Sequence, residues 1–230
     1  MRRRAVCAAG VAGLALPALA TRSAIEVLTF EARPFAIRRG PEPGLALALV
    51  AEVLRLVGVQ AVFTFLPYAY ALARVGEQPG AALAPAPRLP GLGPVLDWSL
   101  PLFETPDGFA TLHGPPPGSW AEALALPAVA VLEGDAPPPL PPGQLRHHAS
   151  PRDIVAALRE GEADAWHGSA PMQRHALGAA ARLGRPLGST ARWLAQNPKG
   201  AIPGGELRDA MAALEADGSV GFLLRELDAA

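Results

Sequence analysis

The alternation of β-favouring segments with an amphipathic helix in the first third of the chain constrains the fold more than any other feature. Residues 25–30 and 60–66 are apolar and rich in β-branched and aromatic side chains, so both predict strands. Between them, residues 45–56 place apolar side chains at three- and four-residue steps, which predicts a helix that Gly58 ends. Strand, helix and strand in this order are typical of a parallel βαβ unit.

The same alternation continues to the C-terminus. The stretch 134–142 contains five prolines, which exclude a helix or a central strand there. Ser150, followed by a proline and Asp153, is a strong start for a helix. Helices are predicted at 70–75, 120–126, 151–160, 171–183, 206–216 and 220–227, and strands at 81–84, 95–100, 108–112, 128–132, 163–167 and 191–195.

Two βαβ-rich blocks followed by helices predict an α/β fold with two lobes, each a small mixed sheet with flanking helices. Residues 22–107 together with 196–230 are expected to form one lobe, and residues 108–195 the other. We expect the hinge near 105–109 and 191–197. The cleft between two such lobes is the default place for a ligand.

The N-terminus has the three-part plan of a secretory signal. Arg2, Arg3 and Arg4 precede an uncharged run that ends in the small-x-small site Ala18-Leu19-Ala20. Residues 1–20 are therefore predicted to be a signal peptide, and the mature chain to be periplasmic. A helix capping a cytosolic domain is the alternative, but the run lacks the polar face that such a helix needs. The sequence leaves the export route, Sec or twin-arginine, open.

The charge balance and the cysteine count exclude several classes of protein. The chain has 20 basic and 21 acidic residues, and removing residues 1–20 leaves 17 against 21. Such a chain is not basic enough to favour nucleic acid. The single cysteine, Cys7, lies inside the predicted signal, so the mature chain has no disulfide and no thiolate ligand or nucleophile. Its stability has to come from an apolar core.

Several short strings carry a resemblance to a known family. Residues 158–165 (LREGEADA) are similar to the pattern L..GraDA, and residues 97–102 (DWSLPL) to dFSdPy. Residues 25–37 and 44–58 resemble the first strand and first helix of the same proteins. The chain thus resembles family 3 of the bacterial extracellular solute-binding proteins, which includes the polar amino-acid binders. The resemblance implies a type II periplasmic-binding-protein-like fold.

The residues that the family uses to hold amino acids are missing or displaced. Its carboxylate-binding Arg falls at Leu92, with Arg88 four residues earlier, and its ammonium-binding Asp falls at Ser169. The second-lobe helix N-terminus that often assists falls in the proline-rich stretch 134–142. A standard zwitterionic amino acid is therefore not the expected ligand.

The resemblance places a mostly aromatic set of residues near the cleft. Such a pocket suits a flat, apolar or weakly charged ligand, and the alternative for each aromatic residue is a place in a lobe core. His147, His148 and His167 lack the spacing of a metal site, and neither a metal nor a cofactor is expected. His147 and His148 are expected in a solvated loop before the helix that starts at Ser150. The predicted ligand-binding residues are Phe35, Tyr68, Tyr70, Arg88, Trp98, Trp166, His167 and Ser169.

These observations predict a periplasmic solute-binding protein that captures a small molecule by hinge closure. We expect a monomer that presents its ligand to the inner-membrane permease of an ABC-type transporter, with no catalytic activity. One alternative is an enzyme of the dehydratase or lyase type on the same fold, with Asp164, His167 and Glu104 as candidate acids and bases. The other is a sensory or degenerate binding module that transports nothing.

Overall fold

The predicted βαβ unit opens the fold of the chain. A computed structural model describes residues 22–89, 95–200 and 202–229. Strand β1 (Arg22–Thr29), helix α1 (Leu45–Leu56) and strand β2 (Val59–Phe65) confirm the strand–helix–strand prediction, and β1 and β2 are parallel. The predicted signal peptide, Cys7 and Leu92 lie outside the described residues.

Strands and helices continue to alternate along the rest of the described chain. The elements that follow β2 are, in chain order, α2 (Tyr68–Glu77), β3 (Ala82–Pro87), β4 (Asp97–Thr111), α3 (Trp120–Leu124), β5 (Val129–Leu132), β6 (Leu145–His148), α4 (Pro151–Glu160), β7 (Ala165–Ser169), α5 (Ala170–Leu177), β8 (Arg182–Leu183), β9 (Gly188–Gln196), α6 (Gly204–Ala216) and α7 (Ser219–Ala229). The strands form one sheet in the order β2-β1-β3-β9-β4-β7-β5-β6, with β8 added to β4.

The sheet divides into two lobes on either side of β4 and β9. We call β1–β3 with α1, α2, α6 and α7 the first lobe, and β5–β8 with α3–α5 the second lobe. Strands within each lobe that are joined through helices are parallel, whereas β9 is antiparallel to both β3 and β4. The C-terminal helices α6 and α7 pack against α1.

Strand β4 is one continuous strand of 15 residues, so the prediction of two separate strands at 95–100 and 108–112 is wrong. Pro101 and Pro106 lie inside this strand although proline cannot donate to a sheet ladder. Both prolines pair with β9 on one side, and β7 joins the other side only from Asp107 onward. Each missing N–H group is therefore tolerated on an unpaired edge.

Two further predictions are wrong in their boundaries or type. Helix α5 ends at Leu177 rather than at 183, because Gly178 takes a φ of 58° that interrupts the helix. His147 and His148 lie in β6, at the edge of the sheet beside β5, rather than in a loop. None of the described helices has the length and apolar character needed to cross a membrane.

Asp164 has a structural role at the turn before β7. Its Oδ2 accepts a hydrogen bond of 2.9 Å from the backbone N–H of Ala128, and its own N–H donates to the carbonyl of Ala128 at 2.9 Å. This reciprocal pair ties the turn before β7 to the start of β5. Asp164 therefore holds two parallel strands of the second lobe in place.

We expect Asp164→Ala to lower the free energy of unfolding by about 1 kcal/mol, because the N–H of the buried Ala128 loses its partner. Urea denaturation followed by circular dichroism measures the change. Glu162→Ala, an exposed acid two residues away, is the control and should stay within about 0.5 kcal/mol of the native value. Equal stabilities of the two variants would contradict this structural role.

Candidate binding cleft between the lobes

The loop between β5 and β6 extends from the second lobe and contacts the first lobe. Gly134 in this loop has a φ of 88°, which favours glycine, and its Cα lies directly against the ring of Tyr68 at the start of α2. A Cβ atom at position 134 would come within 2.5 Å of Tyr68 Cγ. The lobes are thus closed on each other here, with contact that only a glycine permits.

The next residue of this loop forms an ion pair across the cleft. Asp135 Oδ1 accepts a hydrogen bond of 2.7 Å from Arg192 Nη1, and Arg192 lies on β9, next to β3 of the first lobe. The two side chains are only 8% and 2% exposed. The Arg192 guanidinium also lies 5.8 Å from the ring centre of Phe35. A charge pair this deeply buried has lost its water and needs close partners to be tolerated.

A second buried acid lies on the same face of the sheet. Asp107 on β4 accepts a hydrogen bond from the hydroxyl of Thr190 on β9, and burial raises the pKa of its carboxyl group. Its cross-strand neighbour on β7 is Ser169, whose hydroxyl is fully buried. Asp107 Oδ1 and Ser169 Oγ have no hydrogen-bond partner among the described residues. Both atoms therefore have unused hydrogen-bonding capacity in this closed arrangement of the lobes.

Tyr68 completes this group of side chains from the first lobe. Its ring packs edge-on against Phe30 at 5.1 Å between centroids. Burial, reinforced by the Asp135 carboxylate and partly offset by Arg192, raises the pKa of Tyr68 to about 12. The phenol thus stays protonated, and its buried oxygen has no partner in the described part of the chain. We call Tyr68, Asp107, Asp135, Ser169 and Arg192 the cleft cluster.

Two cavities adjoin the seam between the lobes. The smaller, about 190 Å³, lies beside Tyr68 and is walled by Phe30, Phe65 and Arg38 of the first lobe and by Ala149 of the second. The larger cavity measures about 630 Å³, which lies within the range of small-molecule sites. Its lining residues are Glu31, Arg33, Ser150, Pro151, Arg152, Val155, Arg159, His175 and Ala176.

The structure brings some of the predicted ligand-binding residues to the cleft and places others elsewhere. Phe35 is buried beside Arg192, and Tyr68 lies in the cleft cluster. Tyr70 is 70% exposed on α2. Arg88 lies over Trp98 at 5.9 Å, and Trp98 packs against a separate hydrophobic cluster beneath α2. Tyr68 borders this cluster as well, but the aromatic partners of Arg88 are Trp98 and Trp193, on the opposite face of β9 from Arg192.

The three predicted residues on β7 lie on opposite faces of the sheet. Trp166 is fully buried in the main hydrophobic core. His167 points to the other face and contacts the rings of Phe109 and Trp120 at 5.1 and 5.5 Å between centroids. Ser169 belongs to the cleft cluster through its pairing with Asp107.

Sequence reasoning missed the three charged members of the cleft cluster. Arg192 interrupts the apolar strand 191–195, which is a signal of a special environment because arginine is almost never fully buried unless paired. Asp135 was hidden in a proline-rich loop, and Asp107 lay between two supposedly separate strands. Asp107 now stands directly opposite Ser169, the position that the resemblance implies for an ammonium-binding acid.

The three residues considered for catalysis do not share a site. Asp164 binds the backbone of Ala128, and Glu104 is exposed and accepts from the hydroxyl of Ser189. His167 is enclosed by aromatic rings, and burial lowers its pKa to about 4 despite the opposing effect of Asp135. Their separate partners give no convergent acid–base pair.

The overall fold recurs in solved structures. A histidine kinase sensor domain with similarity to periplasmic binding proteins superposes with a TM-score of 0.73 at 13% identity, over 89% of this chain and 95% of that one. The chain has the fold of the periplasmic binding proteins. The histidine-, lysine- and arginine-binding protein ArtJ of Geobacillus stearothermophilus gives 0.74 at 12% identity, over 89% and 94%.

Another solved relative in fold is EhuB in complex with hydroxyectoine, with a TM-score of 0.70 at 15% identity over 86% of each chain. No family model matches the sequence, and no curated protein matches it either. At identities of 12–15% these likenesses establish the fold alone.

The neutral His167 makes stability depend on pH. Its pKa falls from 6.5 in the unfolded chain to about 4 in the folded protein. Between these values only the unfolded chain takes up the proton, so the free energy of unfolding decreases as the pH is lowered from 6.5 to 4. The loss from this residue amounts to about 3 kcal/mol.

The free energy of unfolding of the native protein should fall between pH 7 and pH 4, in part because of His167. In His167→Phe this fall should be smaller by about 3 kcal/mol. Urea denaturation at several pH values measures both slopes. Asp107 acts in the opposite direction, since its raised pKa favours the folded state on acidification, and it remains in both proteins. Identical slopes would show that His167 is not held neutral.

Proposed function

We propose that the protein is an exported solute-binding protein, which captures a small molecule between its lobes and presents it to a membrane permease. The observation that carries this proposal is the cleft cluster. It places buried charged and polar groups from both lobes at the strands that connect them. Buried ionisable groups with perturbed pKa values concentrate at functional sites, because a core built only for stability avoids them.

The comparison supports binding rather than catalysis. ArtJ binds amino acids, EhuB was solved with hydroxyectoine, and AbpA from Streptococcus pneumoniae is an amino-acid ABC transporter substrate-binding protein. These proteins share the fold of this chain. The predicted signal peptide supports a periplasmic location, where such proteins meet their permeases.

The proposed ligand-contacting residues are Tyr68, Asp107 and Ser169, beside the buried pair of Arg192 and Phe35. They offer an aromatic wall, free hydrogen-bonding atoms and buried charge in one place. We propose a ligand other than a standard zwitterionic amino acid, because Asp135 already occupies the guanidinium that would bind its carboxylate.

A thermal-shift screen of the purified protein with amino acids, aromatic acids and amines tests solute capture. A ligand present at about 100 times its dissociation constant should raise the melting temperature by about 5 °C or more, because it binds only the folded state. If no compound in the screen raises the melting temperature, solute capture is contradicted.

Two tyrosines of α2 form a matched pair for placing the site. Tyr68→Phe removes a buried hydroxyl from the cleft and should weaken a ligand found in the screen about tenfold, as measured by calorimetry. Tyr70→Phe alters an exposed ring on the same helix and should leave the affinity unchanged. Equal affinities of the two variants would place the ligand away from the cleft cluster.

A further inference from the structure

The charges of the cleft cluster do not balance. Arg192 is its cation, and Asp135 and Asp107 are two carboxylates, all three less than 10% exposed. The Arg192 guanidinium bonds Asp135, whereas Asp107 accepts only the neutral hydroxyl of Thr190. Burial raises the pKa of Asp107 and the carboxylates of Asp135 and Glu104 add to this, whereas the Thr190 hydroxyl and the more distant Arg192 oppose it without cancelling it. A buried carboxylate with no cation bonded to it is costly, so Asp107 must either take up a proton or acquire a positive counter-ion.

The free hydrogen-bonding atoms of the two acids are acceptors. Asp107 Oδ1 and Asp135 Oδ2 are both buried and have no partner among the described residues. The neighbouring hydroxyl groups of Ser169 and Tyr68 accept as well as donate. This arrangement favours a ligand that brings N–H groups and positive charge into the cleft.

Asp135 is held in place by the structure around it. Gly134 packs against Tyr68, and the N–H of Asp135 donates to the carbonyl of Leu132 at 3.1 Å. Prolines from Pro137 onward stiffen the chain that follows. Asp135 thus presents its carboxylate to Arg192 as a bound carboxylic acid would. A ligand carboxylate would have to displace it and would add a third negative charge.

We infer that the cleft binds a small organic cation that lacks a carboxylate, with Asp107 as its counter-ion and Asp135 as the residue that excludes carboxylates. The inference rests on the proposed function and names the ligand class of the same site. The body of the cation lies against the ring of Tyr68, beside the cavity of about 190 Å³. The wall of this cavity is mostly apolar, and its two charged residues, Glu31 and Arg38, are of opposite sign.

Probes that differ by a single carboxylate test this assignment. Phenethylamine and agmatine are the carboxylate-free counterparts of phenylalanine and arginine, and 3-phenylpropionate lacks the amine. Calorimetry with the native protein should show that each amine binds at least about tenfold more tightly than its amino acid, and that 3-phenylpropionate does not bind.

Two substitutions separate the roles of the acids. Asp107→Asn keeps the shape of the side chain but removes its charge, and should weaken the amines at least about tenfold. Asp135→Asn frees Arg192 and should raise the affinity for phenylalanine and arginine by a similar factor. Asp97→Asn, an exposed acid on the same strand β4, is the control and should bind like the native protein.

A double variant guards against misfolding of Asp135→Asn, which leaves a buried guanidinium unpaired. Asp135→Asn with Arg192→Gln removes both charges together, and it should still bind amines but gain no affinity for amino acids.

Amino acids that bind the native protein as tightly as their amines would overturn the inference and leave solute capture standing. Unchanged amine affinity in Asp107→Asn would also overturn it. A native protein that binds none of these probes and nothing in the broader screen would overturn both proposals.

Discussion

The antiparallel ladder between β4 and β9 is the element on which both lobes and the cleft depend. Each strand continues from the first lobe toward the second, so backbone hydrogen bonds, rather than side-chain packing alone, connect the two halves. The same ladder carries Asp107, Thr190 and Arg192 on one face. The connection between the lobes and the chemistry between them are therefore built from the same residues.

Burial makes this chemistry selective. In water an aspartate beside an arginine discriminates little, because solvent screens both charges. At 2–8% exposure, each charge needs a specific neighbour, and an unmatched acid strongly favours whatever cation reaches it. The proline-rich loop contributes by holding Asp135 at a fixed place, so that little flexibility is lost when the cleft is filled.

The sequence predicted the fold better than the cleft. Helix α1 was found at its observed bounds, because its apolar stripe and Gly58 act locally. The sequence did not show that 95–100 and 108–112 belong to one strand. Pro101 and Pro106 are tolerated there because one edge of β4 is unpaired, and the pairing of an edge depends on the whole sheet rather than on the local sequence. Asp135 and Arg192 are far apart in the chain, and only the folded structure shows that they form an ion pair and that Asp107 lies on the same face of the β4–β9 ladder. The resemblance to the family pointed to Ser169, but it did not point to Asp107, which pairs with Ser169 from the neighbouring strand β4.

Neighbouring residues of β9 have opposite surroundings: Arg192 faces the cleft, whereas Trp193 lies against Trp98 and Arg88 on the far side. A slip of this strand by one residue would exchange the two, placing an indole among the carboxylates and a guanidinium in the apolar layer. The buried charges thus fix the alignment of the strand as firmly as the apolar residues do. An insertion or deletion of one residue in β9 would disrupt the cleft cluster and the sheet together, whereas an exchange of side chain at a single position leaves the alignment of the strand intact.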